Sequence, residues 1–243
     1  MPEQLPFTHL LNQLFAGPAN AVLNAVHHPA KYPEAPISNW MSMELLVTGL
    51  LIVVFLIVRS RLSVESPGGM QHLAEMFHEF IGGQNHEIIG HDSDQFTPYL
   101  STLFLFILFM NLIGLIPTFA SPTANPAVPL GLAVPTWFYY HYQGVRKQGL
   151  HYFKHFLGPV WWLSPLMLPI EIVSHAARAM SLTIRLYANI FAGDMVTLVF
   201  ISLVPVFIPV IFLGLHVFVS LLQAYIFVLL ATVYLAGAVA EEH

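Results

Sequence analysis

The sequence predicts an all-α polytopic membrane protein of about five membrane-crossing helices, the last two long and strongly tilted as a hairpin. Three observations lead there. The 243 residues are 56% hydrophobic and only 9% charged, with a mean hydropathy of +0.70, whereas a soluble domain carries far more charge. Several apolar runs approach the roughly 20 residues that a spanning helix needs. Two basic clusters, Arg59/Arg61 and Arg146/Lys147/Lys154, fit one alternating topology when both are placed on the cytoplasmic side.

The N-terminal segment, 1–40, opens Met1-Pro-Glu-Gln-Leu-Pro-Phe7 without a basic stretch followed by an apolar core, so no cleavable signal is expected. The first span, 43–58, stops at Arg59-Ser-Arg61, which places the N-terminus outside. A polar segment, 62–94, leads into a span over 96–116, closed by Pro117 and by Pro122, Pro126 and Pro129. A short, proline-interrupted span over 128–142 returns the chain to the second basic cluster. Ser164-Pro165 then starts a helix that nothing firmly breaks before Pro205 and Pro209. From 165 to 203 it would run roughly 57 Å, nearly twice the ~30 Å hydrocarbon thickness, so strong tilt or partial embedding follows. The last helix, 210–240, is about 46 Å long. It carries no charge before Glu241-Glu242-His243, which puts the C-terminus inside. No repeat, low-complexity tract or linker divides the chain, which reads as a single integral membrane domain, 1–243.

The net charge of −5 is spread over loops and ends, implying neither a nucleic-acid partner nor a basic lipid-binding arm. The absence of cysteine excludes disulfides, thiolate metal sites and a cysteine nucleophile.

Arg185 lies in the middle of the first long helix. A guanidinium cannot shed its proton at ordinary pH, and a charge at bilayer mid-depth costs several kcal/mol. Glu171, His175, Arg178, Arg185 and Asn189 fall on one narrow stripe of that helix. Such a stripe must line water, another chain, or both. If the Pro205–Pro209 region is the outer turn of a hairpin, residues equidistant from it lie at equal depth. Asn189 then stands level with Gln223, Asp194 nearly level with His216, Arg178 with Tyr234, and Glu171 with Glu241. His216, Ser220 and Gln223 give the second helix its own polar stripe. A permanent cation thus has titratable groups above and below it, an arrangement of two half-paths separated by a barrier. Arg185 has no acid within two turns on its own face, so its counter-charge is expected on another subunit.

Three motifs carry a family resemblance: Pro169-Ile-Glu171-Ile-Val-Ser174-His175, the Ser181 to Gly193 stretch with Arg185 and Asn189, and Leu222-Gln223-Ala-Tyr-Ile-Phe227. The chain resembles the a subunit of F-type ATP synthases. The likeness extends to Phe104–Pro117, with Asn111, to Tyr140-His-Tyr-Gln-Gly144 and to Val233-Tyr234-Leu235. It covers the chain from about Pro67 onward.

The resemblance implies a non-catalytic stator in the membrane sector, with two aqueous half-channels that exchange protons with carboxylates of the c-subunit ring and couple proton-motive force to rotation and ATP synthesis. Arg185 matches the family's essential arginine, which attracts the deprotonated ring carboxylate and blocks leak between half-channels. Asn189, Asp194, His216 and Gln223 match outer half-channel positions, with Asn111 and Asn125 at its entrance. Glu171 and Ser174 match the inner one, and His175, Arg178 and Tyr234 are counted with the proton-translocating residues. The implied partners are the c-ring, the b-subunit peripheral stalk, the rest of the F1Fo complex and membrane lipid, in a bacterial cytoplasmic membrane. No cofactor, metal or nucleic acid is expected. The chain departs from the family pattern at Ala179-Met180, at Ala127-Val-Pro129 and at Gly114, where some bacterial members carry an aspartate.

Other readings fare worse. A secondary transporter would carry its own counter-ion, paired repeats and a midplane site between broken helices. An intramembrane hydrolase would need a complete Gly-x-Ser-x-Gly, His-Glu-x-x-His or paired aspartates. The acidic and histidine residues from His72 to Asp92 do not complete a zinc motif, since His86-Glu87-Ile-Ile-Gly-His91 spaces its histidines five apart. Gly82-Gly83 and Gly90 disfavour a continuous helix there, so this segment reads as a solvated loop with an amphipathic part on the membrane surface. Trp137, Tyr139, Tyr140, Tyr142, Trp161 and Trp162 read as interfacial aromatics.

Overall fold

The computed structural model describes residues 4–240 apart from 26, 28, 29, 31, 64–67, 117, 150, 151, 153–163 and 204–206. Seven α-helices occupy the described residues: α1 (Pro6–Ala25), α2 (Asn39–Ser60), α3 (Gly69–Ile89), α4 (Thr97–Leu112), α5 (Ala127–Gln148), α6 (Ser164–Leu203) and α7 (Phe207–Val239). Short 3-10 turns, His91–Gln95, Ile113–Leu115 and Pro122–Ala124, flank α4 and precede α5.

Four helices, α2, α4, α6 and α7, are long and apolar enough to cross a membrane. The expected span over 128–142 forms a helix, but it runs on to Gln148 and is not one of these four. Pro135, Arg146, Lys147 and a run of polar aromatic residues lower its apolarity, yet it runs from the Pro122–Ala124 turn beside Asn111 to the far end of α7 at Gln148, a more polar companion to the four. The two C-terminal helices are the long ones, 40 and 33 residues.

Helix α7 sits at the centre, packing on α3, α4, α5 and α6. Its contact face carries Ala224, Phe227, Ala231, Leu235 and Ala238, all buried. The alanines recur every seven residues, which lets neighbouring backbones approach where lipid supplies no hydrophobic drive of its own. Helix α6 is the least covered of the four spans. Leu182, Leu186 and Ile190 pack inward, whereas Val173, Met180, Ile184 and Leu198 point away from the protein.

Contrary to the sequence reading, α3 runs unbroken through Gly82-Gly83 and ends only at Gly90, whose φ of 91° suits glycine. Two glycines cost about 2 kcal/mol of helix propensity. Tertiary contacts outweigh this: Ile81 and Asn85 are buried, and Gln84 donates to the Tyr225 hydroxyl of α7. Asn85 donates to Thr97 of α4 at 3.1 Å and accepts from Thr232 of α7 at 3.2 Å. Among the described residues no group of three acidic or histidine side chains is poised to hold a metal.

The aromatic residues of α5 also depart from expectation. Tyr140 is buried, Tyr139 stacks on Tyr99 at 4.0 Å and Trp137 faces α6, while Tyr142 stays exposed as an interfacial residue would. Trp161, Trp162 and Lys154 lie outside the described residues. Helix α5 is drawn onto α7 at Gly144. A Cβ there would sit 2.5 Å from the Tyr152 ring and 3.0 Å from the Ala238 carbonyl oxygen. One turn on, the Gln148 amide donates to the carbonyls of Ala238 (3.2 Å) and Ala240 (2.5 Å), capping the end of α7. Lys147 reaches back to Asp92 at 2.6 Å. Its hydrogen bond, and then its charge, hold the Asp92 carboxyl below the usual range.

Candidate functional site

The polar stripe of α6 faces α5 and α7, because Leu182, Leu186 and Ile190 on the same side are packed there. Three of the four equal-depth pairs are in contact. The Asn189 amide donates to Gln223 Oε1 at 2.7 Å. Asp194 Oδ1 lies 3.7 Å from His216 Nδ1. The Arg178 guanidinium stands 5.3 Å over the Tyr234 ring, a cation–π contact. The fourth pair falls on Glu241, outside the described residues.

Around Asp194 the group extends to a third helix. His216 is buried, and a Cβ on Gly193 would come within 3.2 Å of its Nδ1, so a bare backbone at 193 makes room for the ring. One turn further along α7, Asn111 of α4 donates weakly to the Ser220 carbonyl at 3.5 Å and accepts from Thr123 at 2.7 Å. Ser121 donates to the Asn111 carbonyl at 3.4 Å. A Cβ at Gly114 would meet the Ser121 hydroxyl at 1.9 Å, so Ser121 already fills the space a side chain at 114 would enter. His216 Nε2 and Ser220 Oγ are buried with no hydrogen-bond partner among the described residues. An unpaired buried group costs about 1–3 kcal/mol, a cost that water reaching it would remove. No hydrogen bond among the described residues draws Asn125 into this group; its Oδ1 accepts the Ala127 N–H at 3.0 Å and starts α5.

Around Glu171 the side chains are joined to one another. Glu171 Oε1 lies 3.2 Å from His175 Nε2, and His175 Nδ1 shares a 2.9 Å hydrogen bond with the Tyr140 hydroxyl. Trp137 donates to the His175 carbonyl at 3.2 Å. The His141 ring centroid is 4.6 Å from that of His175, and His141 Nδ1 meets the Tyr152 hydroxyl at 2.5 Å. These groups border a cavity of about 160 Å³ lined by Tyr152, Glu171, His175, Arg178, Tyr234 and the end of α7. By volume it has room for several waters. Ser174 is half-buried and makes no side-chain hydrogen bond among the described residues.

Arg185 lies between the two groups along α6, half-buried. No carboxylate of the described residues is within ion-pair distance of it. It borders a shallow depression with Ala177, Met180, Ser181 and Ile184 on the uncovered side of α6.

Sequence reasoning missed the α5 contribution. Trp137, Tyr140, His141, Gly144 and Gln148 follow helical spacing on one face, a signal that was present, but aromatic character there was read as membrane-interface chemistry. Thr123 had no comparable signal, since only the fold brings it to Asn111.

Comparisons with known proteins show the family. The ATP synthase A chain family matches residues 41–236. Over the full length of both proteins the chain is 58% identical to ATP synthase subunit a of Koribacter versatilis (strain Ellin345). It is 50% identical to the Solibacter usitatus (strain Ellin6076) subunit a across 96% of this chain and all of that one. A third relative, ATP synthase subunit a 1 of Syntrophotalea carbinolica, is 46% identical over 84% of this chain and 85% of its own. With four helices among the described residues long and apolar enough to span, two of them long and polar-striped, and a family match over most of its length, this integral membrane chain belongs to the ATP synthase A chain family and is a non-catalytic, proton-channel subunit of the synthase's membrane sector.

Proposed function

We propose that the Asp194 and Glu171 groups are the linings of two separate aqueous half-channels, and that Arg185 is the electrostatic gate between them. The observation that carries this is the position of Arg185. It sits half-buried between the groups with no acid of the described residues near it, on the side of α6 that the protein leaves open. A cation so placed stabilises a carboxylate presented by a neighbour and repels a proton moving along the helix. The neighbour is the c-subunit ring; the b-subunit peripheral stalk and the rest of the F1Fo complex hold the chain against its torque.

On this reading water enters at the Asp194 end, where Asn111, Thr123, Ser220 and His216 line the way, with Asn125 at the mouth. Asp194 and His216 pass the proton toward the ring, with Asn189 and Gln223 fixing the hairpin spacing beside the transfer point. After rotation the proton leaves by the Glu171 cavity, where His175, Tyr140, Ser174, Arg178 and Tyr234 surround the path. The Asp194 end faces outward, and with α5 crossing as a fifth, more polar helix between α4 and α6, the N-terminus is outside and the C-terminus is in the cytoplasm of a bacterium. The whole chain, 1–243, acts as one membrane domain in which 165–203 and 210–240 are the tilted pair against the ring.

The test is Arg185→Ala in the intact synthase reconstituted into vesicles. ATP-driven pumping is expected to be abolished while passive proton leak through the membrane sector rises. Coupled synthesis at the unsubstituted rate would contradict the gate, as would isolation of the chain as a transporter that works without a ring.

A further inference from the structure

Helix α1 lies outside the stretch the family model matches, and it is packed inside out. Its buried residues are polar: Thr8 is 0% and Asn12 4% exposed. Four of its large apolar residues face away from the protein, with Leu10 at 51%, Leu14 at 65%, Phe15 at 50% and Val22 at 65% exposure, while Phe7 at its start packs on the core. On a helical wheel these four share one side with Phe7, Leu11 and Pro18, while Thr8, His9, Asn12, Gln13, Asn20 and Asn24 take the other.

The polar side is tied along its length to the beginning of α2. Thr8 and Ser42 share a 2.5 Å hydroxyl–hydroxyl bond. The Leu5 N–H donates to Asn39 at 3.1 Å. Asn12 exchanges two 3.0 Å hydrogen bonds with the backbone of Ile37, and Asn20 donates to the Pro33 carbonyl at 2.6 Å. All these partners lie in the first turn of α2 or just before it. Helix α2 has 22 residues, roughly 33 Å, which matches the ~30 Å hydrocarbon thickness, so its first turn marks a membrane boundary. Trp40 stands in that turn, and Arg59 in its last turn marks the opposite boundary.

We propose that α1 is an interfacial helix: it lies in the membrane surface at the level of the first turn of α2, with Leu10, Leu14, Phe15 and Val22 among the acyl chains and its polar side on the protein. The occupant of the apolar face is lipid, because the face is continuous with the boundary of a spanning helix. Helix α1 cannot itself be a span. It is not one of the four helices apolar enough to cross, and hydrogen bonds from Thr8, Asn12 and Asn20 tie both its beginning and its later turns to the short stretch 33–42 at the start of α2, the level of one membrane boundary. It carries no charged residue, so attachment rests on apolar burial and not on anionic headgroups. The apolar side chains reach roughly 5–10 Å into the headgroup–acyl boundary.

The chain has no cysteine of its own, which makes the experiment direct. Leu14→Cys, Val22→Cys and, on the opposite side, Gln13→Cys are introduced singly into the whole synthase in phosphatidylcholine vesicles and labelled with an environment-sensitive fluorophore. Labels at 14 and 22 are expected to emit blue-shifted, to be quenched by spin-labelled lipid bearing its nitroxide high on the acyl chain, and to escape aqueous iodide, which quenches the label at 13. Iodide quenching at 14 and 22 equal to that at 13 would overturn the proposal. Protection of 14 and 22 from both quenchers would overturn it too, because another subunit then covers the face. Neither outcome bears on the Arg185 gate, since none of these residues touches it.

Discussion

The two polar groups along the α6–α7 hairpin solve burial differently. At the Glu171 end the side chains are chained directly to one another, carboxylate to imidazole, imidazole to phenol and a neighbouring imidazole to a second phenol, around a cavity of about 160 Å³. At the Asp194 end the acid–imidazole distance is longer, 3.7 Å, and two buried atoms, His216 Nε2 and Ser220 Oγ, have no partner among the described residues. A chain of direct side-chain bonds holds its shape with little help, whereas buried groups that bond to no neighbour depend on solvent reaching them. The first end is a built cavity and the second a polar seam between helices. What sets them apart is α5, which contributes Trp137, Tyr140, His141 and Gly144 at one end only.

The sharpest way to break this contrast is to fill the built end. Gly144→Val places its Cβ against the Tyr152 ring and the Ala238 carbonyl, an overpacking that costs on the order of 1–3 kcal/mol or more. The expected outcome is poor recovery of assembled membrane sector. Gly131→Ala, in the same helix with nothing within 4 Å, should assemble normally, and equal loss in both would mean that glycine flexibility, not space, is the requirement.

A smaller effect is expected where the hairpin helices are tied. Asn189→Ala leaves the buried Gln223 carbonyl oxygen without its donor, at about 1–3 kcal/mol. Adding Gln223→Leu removes the orphan, so the double variant should regain thermal stability in detergent while ATP-driven pumping stays slow. Strictly additive stability losses would show that the pair is not coupled.

Ser220→Ala discriminates between the ends most directly. It deletes a hydroxyl that no protein group satisfies, so stability should be unchanged or up to about 1 kcal/mol higher, while proton flux falls if that hydroxyl orders water in the path. Unchanged flux would remove Ser220 from the path. The smallest effect is expected at Asp92→Asn, on an exposed tie to Lys147. Because the carboxyl is held below its ordinary range, its contribution is complete above the unfolded value near 3.9 and fades as pH falls through the lowered folded one. The variant and the unsubstituted protein should differ slightly in melting temperature at pH 6 and converge in strong acid; a gap that persists there would mean that the pairing is not electrostatic.

Much of the fold was legible in one dimension because apolarity, prolines and basic clusters report on a helix by itself. The two long helices appear within a few residues of where the prolines placed them. Equal-depth pairing located Asn189 with Gln223 and Asp194 with His216, since a hairpin turn converts sequence distance into depth. Contacts between helices remote in sequence had no such ruler. Gln84 with Tyr225, Asn85 with Thr232 and Asn111 with the Ser220 carbonyl meet only once α3, α4 and α7 have docked. The continuity of α3 through Gly82-Gly83 was hidden for the same reason, because its compensation lies in other elements. The aromatic residues of α5 show the converse: a residue type suited both to an interface and to a polar interior cannot be assigned until its neighbours are known.

The bond from Gln148 to the last carbonyls of α7 has a mechanical meaning. Among the described residues a sideways push on α6, bare along one flank, is resisted chiefly by α5, α7 and the Pro122–Ala124 turn. The strap at Gln148 joins the two helices at the tip farthest from the hairpin turn, so they bend as one beam instead of shearing past each other, and the stiffness with which this chain can oppose a lateral force rests in part on a single amide.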